Sequence, residues 1–340
     1  GFVWSYIAVM FYNNQEQHSL YLTADYSDDK RILAVVENFE KQFEKQLGKD
    51  ITKEERLGIK KLVMQTYLRA LALDKCADYG LEALKEIDNF FIRENTMYAL
   101  LKTGRYDECL KLANEVKDDT NPVSLYYAAA ATLESGEFDA SAEYVLELAK
   151  QVKTSEYPKK ADELLHSYFS LLVVDTETTK AKYSLLSDEQ INKLNSDEFL
   201  KNYLAAYVNA CYPSSIYDDA YTEAMKTALA AIDRVISERG ELCYPYYLKG
   251  VTLMQQKKYD EAGAAYKKAI DYKSDDPMIW YALYAAYEEL EEWENAIGLS
   301  PWFNYYSDYE GIGIHPYSYR EGAKAMIEKQ HEASQKGGNE

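Results

Sequence analysis

Cys243–Asp276 reads CYPYYLKGVTLMQQKKYDEAGAAYKKAIDYKSDD, and the stretch that follows from Pro277 reads PMIWYALYAAYEELEEWENAIGLSPWF. The two segments start 34 residues apart, and their landmarks recur in register. An aromatic stands fourth in each (Tyr246, Trp280), another seventeenth (Tyr259, Trp293), and an alanine twentieth (Ala262, Ala296). The eighth place is Gly250 in the first segment and Tyr284 in the second; the twenty-fourth is Tyr266 and then Ser300. A small eighth residue lets a facing helix pass close, so Tyr284 predicts a wider or distorted crossing. Pro301 falls inside the second helix expected of the later segment and should kink or end it.

Outward from this stretch, the composition agrees with a helical chain. Of 340 residues, 47% are hydrophobic, enough for a large core, and only 15 are Gly and 7 Pro. That scarcity of turn formers argues against an all-β sandwich. No alternating strand pattern longer than a few residues occurs. The net charge of −19 disfavours nucleic acid and anionic membrane surfaces, both of which require a basic footprint. Tyrosine accounts for 33 residues, more than a core is expected to need.

Upstream, Ile32, Val36, Phe39, Phe43 and Leu47 form one apolar stripe over 28–47, closed by Gly48. Thr52 with Glu55 forms a capping box that predicts a helix running to about Leu73. Further helices are expected over Tyr79–Phe91, Arg93–Lys102 and Tyr106–Val116, with Asn121-Pro122 and Ser135-Gly136 as punctuation.

On these residues the chain resembles the tetratricopeptide repeat (TPR) family. Tyr246, Gly250, Tyr259, Ala262, Tyr266 and Ala269 occupy the family's landmark places in 243–276; Trp280, Tyr287, Trp293 and Ala296 do so in the next segment. Weaker units start near Phe90 (Tyr106, Ala113, Gly104, with Cys109 for Ala), near Pro122 (Ala129, Gly136, Phe138, with Ser141 for Ala) and near Lys201 (Tyr217, Ala220, Ala224, with a long second helix to about Gly240). The resemblance implies an all-α fold, an α-α superhelix or solenoid of helix-turn-helix repeats whose stacking buries what one pair cannot. The regions 1–53, 157–200 and 304–340 lie outside the resemblance; 1–53 is expected as N-terminal helices, 54–156 as N-terminal repeats and 157–240 as an irregular helical middle with one degenerate repeat. Two C-terminal repeats over 243–303 follow, and 304–340 forms a Tyr-rich loop, a capping helix and a disordered tail.

In this family the first helix of each unit lines a concave groove through positions 2, 5 and 9, among others. Those places hold Phe91, Glu94 and Tyr98; Val123, Tyr126 and Ala130; Tyr244, Tyr247 and Val251; Met278, Tyr281 and Ala285. The expected ligand groove is therefore Phe91, Tyr98, Tyr126, Tyr244, Tyr247 and Tyr281, a stripe suited to peptide or glycan contacts. The other reading is that these tyrosines pack between helices. Family members that clamp a chaperone's terminal carboxylate use basic and amide residues at positions 5 and 9; Tyr and Ala here speak against that ligand.

No catalytic motif is present. The four histidines (His18, His166, His315, His331) belong to no H-E-x-x-H, and neither a phosphate loop nor a nucleophile elbow occurs. Cys76, Cys109, Cys211 and Cys243 lie far apart and read as reduced core residues. GIGIH within Asn304–Tyr319 lacks the third glycine and the βαβ context of a dinucleotide site. The expectation is a non-catalytic scaffold without metal or cofactor, binding a protein or peptide. Glycan or cell-wall recognition and self-assembly are the alternatives. Glu288, Glu289, Glu291 and Glu292 form an acidic run, either a solvated face or a contact for a basic partner. The apolar Phe2–Tyr12, about 16 Å long as a helix, reads either as the trimmed outer end of a membrane anchor or as a core helix. Together with the acidic, Tyr-rich composition it leans towards an extracytoplasmic, membrane-anchored domain, with a cytoplasmic scaffold as the alternative.

Overall fold

A computed structural model of the chain describes residues 38, 41, 51–69, 72–116, 121–155, 158–173, 186–212, 219–273 and 276–299. The stripe over 28–47, the apolar start, His18, Tyr217, Ser300, Pro301, the Tyr-rich stretch after 304, His315 and His331 lie outside these residues. Among the described residues there are fourteen α-helices and no strand. None of these helices is long and apolar enough to cross a membrane. The chain divides into two compact units, 1–137 and 138–340.

The first unit contains α1 (Lys53–Arg69), α2 (Leu73–Glu86), α3 (Phe90–Lys102), α4 (Tyr106–Asn114) and α5 (Pro122–Ser135). The capping box forms as expected: Glu55 N–H donates to Thr52 Oγ1 (3.2 Å) and Thr52 N–H to Glu55 Oε2 (2.8 Å). The expected single helix to Leu73 is corrected, because α1 stops at Arg69 and α2 begins at Leu73. The expected Tyr79–Phe91 helix is α2, which starts earlier and ends at Glu86. Asn89 is extended and accepts from Phe91 N–H (3.1 Å), so α3 starts at Phe90 instead of Arg93. Asn121 caps α5 in the same way through Val123 N–H (3.0 Å), with Pro122 in the first turn where its missing donor costs nothing.

The second unit contains α6 (Phe138–Thr154), α7 (Pro158–Leu172), α8 (Asp188–Leu194), α9 (Glu198–Cys211), α10 (Asp219–Glu238), α11 (Cys243–Gln255), α12 (Tyr259–Tyr272), α13 (Pro277–Glu289) and α14 (Trp293–Gly298). Helix α7 lies in the stretch expected to be irregular, yet it is fifteen regular residues long and buries Ala161, Leu164, Leu165, Tyr168, Phe169 and Leu172.

One turn geometry recurs and sets the repeat register. Ala72 N–H donates to Tyr67 O (3.0 Å), Arg105 to Leu100 (2.9 Å), Glu137 to Thr132 (2.8 Å), Lys258 to Leu253 (2.9 Å) and Glu292 to Tyr287 (2.9 Å). Each is the outer bond of a Schellman closure, satisfying a carbonyl that the ending helix leaves open. In four of these turns the residue before the donor is left-handed: Gly104 (φ 74°), Gly136 (φ 87°), Lys257 (φ 59°) and Glu291 (φ 57°). Each is the fifteenth residue of the repeat expected from Phe90, Pro122, Cys243 or Pro277.

The same bond at Ala72 marks α1 and α2 as a repeat within 54–156, a stretch expected to hold repeats but with no landmarks assigned before Phe90. Met64 and Met97 are 33 residues apart, and so are Cys76 and Cys109. Each cysteine approaches the carbonyl of its methionine, Cys76 Sγ to Met64 O at 4.0 Å and Cys109 Sγ to Met97 O at 3.5 Å. Burial pushes both thiols up to about 12, which makes them inert packing groups. In this first repeat the volumes are exchanged relative to 243–276. Gly80 on α2 sits where a Cβ would lie 2.0 Å from Thr96 Oγ1 of α3 and 2.6 Å from Met64 Cε of α1, whereas Gly250 on α11 sits where a Cβ would lie 2.3 Å from the Tyr266 ring. Either helix of a pair can carry the glycine provided the other carries the bulk.

Candidate functional site

In the first unit, α3 packs on both α1 and α5. Helices α3 and α5 carry three of the six expected groove residues, Phe91, Tyr98 and Tyr126. Lys61 on α1 lies over the Phe91 ring of α3 at 5.5 Å, a contact between adjacent first helices. Further along α3, Tyr98 is 37% exposed, with Lys102 Nζ 5.9 Å from its ring. Tyr126 of α5 stands edge-on to buried Tyr127 at 5.0 Å. Burial pushes the Tyr127 hydroxyl well above the ordinary tyrosine value, and the nearby Tyr126, Glu94 and Tyr98 add to the shift. Tyr126, Glu94 and Tyr98 thus lie near Tyr127, with Lys61 against the Phe91 ring and Lys102 against that of Tyr98. Phe90, at the start of α3, is 52% exposed.

In the second unit Tyr244 and Tyr247 lie on α11, which packs on α9 and α7. His166 of α7 stacks on Tyr244 (ring centroids 4.1 Å, 13° between planes) and meets Tyr247 and Tyr207 edge-on at 6.0 and 5.2 Å. Phe169, one turn on, meets Tyr203 and Tyr207 of α9 at 5.3 and 5.6 Å. Residues at groove positions 2 and 5 here bear against another helix of the same chain. His166 Nδ1 is buried with no hydrogen-bond partner, and burial pulls its imidazole down to about 3, so the ring is neutral.

Four residues before His166, Asp162 is fully buried. Its carboxylate accepts from Tyr203 O–H (2.5 Å) and from the backbone N–H groups of Cys243 (2.9 Å) and Tyr244 (3.1 Å). The reason is local: Leu242, at the cap position of α11, has no side-chain acceptor, so Asp162 supplies the cap from α7. Burial raises the Asp162 carboxyl to about 7, while the three donors favour its charged form. Glu163 pairs with Lys273 at 3.5 Å.

Tyr281, the sixth expected residue, is half-buried on α13 near Met278, which is 49% exposed. Asp276 caps α13 through Met278 N–H (2.9 Å) and accepts from Tyr244 O–H (2.7 Å). The abundant tyrosines prove to be core material here. Tyr168 bonds to Ser141 (2.9 Å), Tyr203 to Asp162 and Tyr244 to Asp276, so each of these buried rings keeps its hydroxyl satisfied. Neither Asp162 nor the α7 contacts were anticipated from sequence; the lone signal was that Leu242 cannot cap the helix it precedes.

Residues 250–291 match the family model described as TPR repeat. This segment is similar to a tetratricopeptide repeat. The matched segment spans the Gly250–Tyr266 packing pair and both left-handed turns at Lys257 and Glu291. A search of curated protein sequences finds no match. Among solved structures, the TPR2AB-domain:pHSP90-complex of yeast Sti1 is 15% identical, with a TM-score of 0.29, covering 79% of this chain and 96% of that one. A thermophilic TPR protein of Thermus thermophilus is 15% identical, with a TM-score of 0.34, covering 69% and 97%. A tetratricopeptide repeat protein of Parabacteroides merdae is 13% identical, with a TM-score of 0.31, covering 80% and 99%.

Proposed function

We propose that the protein is a non-catalytic scaffold that binds a protein or peptide partner on the first-helix face of its first unit. The observation that carries this reading is the position of Tyr98, an exposed ring two turns along α3 from Phe91, with Lys102 against its own ring and Lys61 against that of Phe91. Rings that expose apolar area and a hydroxyl while losing little side-chain entropy suit partner recognition. The TPR match supports an interaction scaffold in general terms.

The test is capture of partners from native extract by the full chain and by Phe91→Ala/Tyr98→Ala/Tyr126→Ala, followed by calorimetry on the captured partner. A partner whose affinity falls by roughly tenfold or more in the triple variant, with unchanged helicity, supports the reading. A partner held equally by both proteins refutes this face. Binding of glycan fragments with no protein partner would replace it with carbohydrate recognition, and a concentration-dependent mass lost in the variant would replace it with self-association.

A further inference from the structure

In the second unit, repeat positions 2 and 5 of α11 are already covered, together with Tyr203 and Tyr207 of the adjacent α9, and their cover has a specific chemistry. Helix α7 presents a carboxylate (Asp162), a flat ring four residues later (His166) and a second ring three residues after that (Phe169), all on one side at helical spacing. Each meets a matching feature: the uncapped N-terminus of α11 and the Tyr203 hydroxyl, the faces and edges of Tyr244, Tyr247 and Tyr207, and the Tyr203–Tyr207 rings of α9. The repeat starts at Phe90, Pro122 and Pro277 carry their own caps in Asn89, Asn121 and Asp276. The start at Cys243 instead takes its cap from another helix. Two polar contacts extend the fit, with Glu163 on Lys273 and Lys159 over the Tyr272 ring at 5.9 Å.

We propose that the α9–α11 face is a helix-recognition groove, read through the capless start of α11 and the rings of Tyr203, Tyr207, Tyr244 and Tyr247, with α7 as its occupant in cis. A partner suited to this groove is a helix with the pattern carboxylate, ring four residues on, ring seven residues on. Such a helix binds only as α7 yields, so its apparent affinity is reduced by the fraction of chains whose groove is vacant. The proposal does not depend on the face of the first unit.

The test uses a labelled synthetic peptide of residues 158–172, PKKADELLHSYFSLL, added to the full chain. Asp162→Ala/His166→Ala weakens the occupant but leaves the groove rings in place. This variant should bind the peptide roughly tenfold or more tightly than the unaltered chain, and a peptide carrying the same two substitutions should bind neither protein. Phe91→Ala/Tyr98→Ala in the first unit should leave peptide binding unchanged, which separates failure of this proposal from failure of the other. If the double variant loses helicity, His166→Ala alone keeps the Asp162 cap and should show a smaller gain. In the unaltered chain, α7 amides should exchange with solvent faster than those of α11. A folded variant with no gain, a substituted peptide that binds equally well, or α7 amides that exchange only as slowly as those of α11 would overturn the proposal.

Discussion

Lys257 and Glu291 adopt the left-handed backbone that the equivalent turns give to Gly104 and Gly136. A side chain with a Cβ pays about 1 kcal/mol in that region, and glycine does not. Lys257→Gly and Glu291→Gly should therefore each raise stability by about 0.5–1 kcal/mol in urea unfolding, while Gly104→Ala should lower it by about 1 kcal/mol. A loss of stability in either glycine variant would contradict the strain argument. At Gly250 the constraint is space: a Cβ there would lie 2.3–2.7 Å from three Tyr266 ring atoms. Gly250→Ala should cost about 1–3 kcal/mol, and much of that cost should vanish in a Tyr266→Ala background, a coupling that a double-mutant cycle reads directly. The 34-residue spacing of the turns at Lys257 and Glu291 was legible in the sequence. That Lys and Glu bear a glycine's conformation was not, because neither residue type signals it.

Helix α7 carries two titratable groups one turn apart whose effects on stability have opposite signs. The buried Asp162 carboxyl is raised from 3.8 to about 7, so between these values the folded chain holds a proton that the unfolded chain has lost. Its contribution is present at low pH and disappears as pH rises through that window. His166 is lowered from 6.5 to about 3, so across that range the unfolded chain holds the extra proton and the contribution grows with pH. From about pH 4 to 6.5 the two slopes oppose each other. Relative to the unaltered chain, Asp162→Asn should make stability climb more steeply with pH over that span, and His166→Phe should make it fall. Urea unfolding at a series of pH values measures both, and parallel profiles for all three proteins would show that neither group titrates as its burial dictates. The sequence reading placed His166 within an irregular helical middle. It did not show the rings around it, because Tyr207, Tyr244 and Tyr247 reach it from helices distant in sequence. Nor could it pair Asp162 with a helix start 81 residues away, since capping rules read only neighbours.

Across the whole chain, 19 net negative charges repel one another, and that repulsion is weakened by salt. The screening length falls from about 30 Å at 0.01 M to about 8 Å at 0.15 M salt. Exposed pairs such as Lys201–Glu198 (3.2 Å) contribute little in either condition, so the urea midpoint should rise over this range. A falling midpoint would mean that ion pairs outweigh the net charge. The sequence by itself determined that the chain is helical, that its last repeats share a 34-residue register, and which residues stand at positions 2, 5 and 9 of each first helix. All of these follow from local periodicity and from volume pairs at fixed separation. It also contained the repeat formed by α1 and α2, in the Met and Cys pairs 33 residues apart, but the exchanged glycine hid that unit from the family pattern. Only the tertiary structure decided what lies against each aromatic position. Tyr98 faces solvent, whereas Tyr244 lies under His166 and α7, because a groove's occupancy depends on which distant helix reaches it, and nothing local in the groove residues encodes that approach.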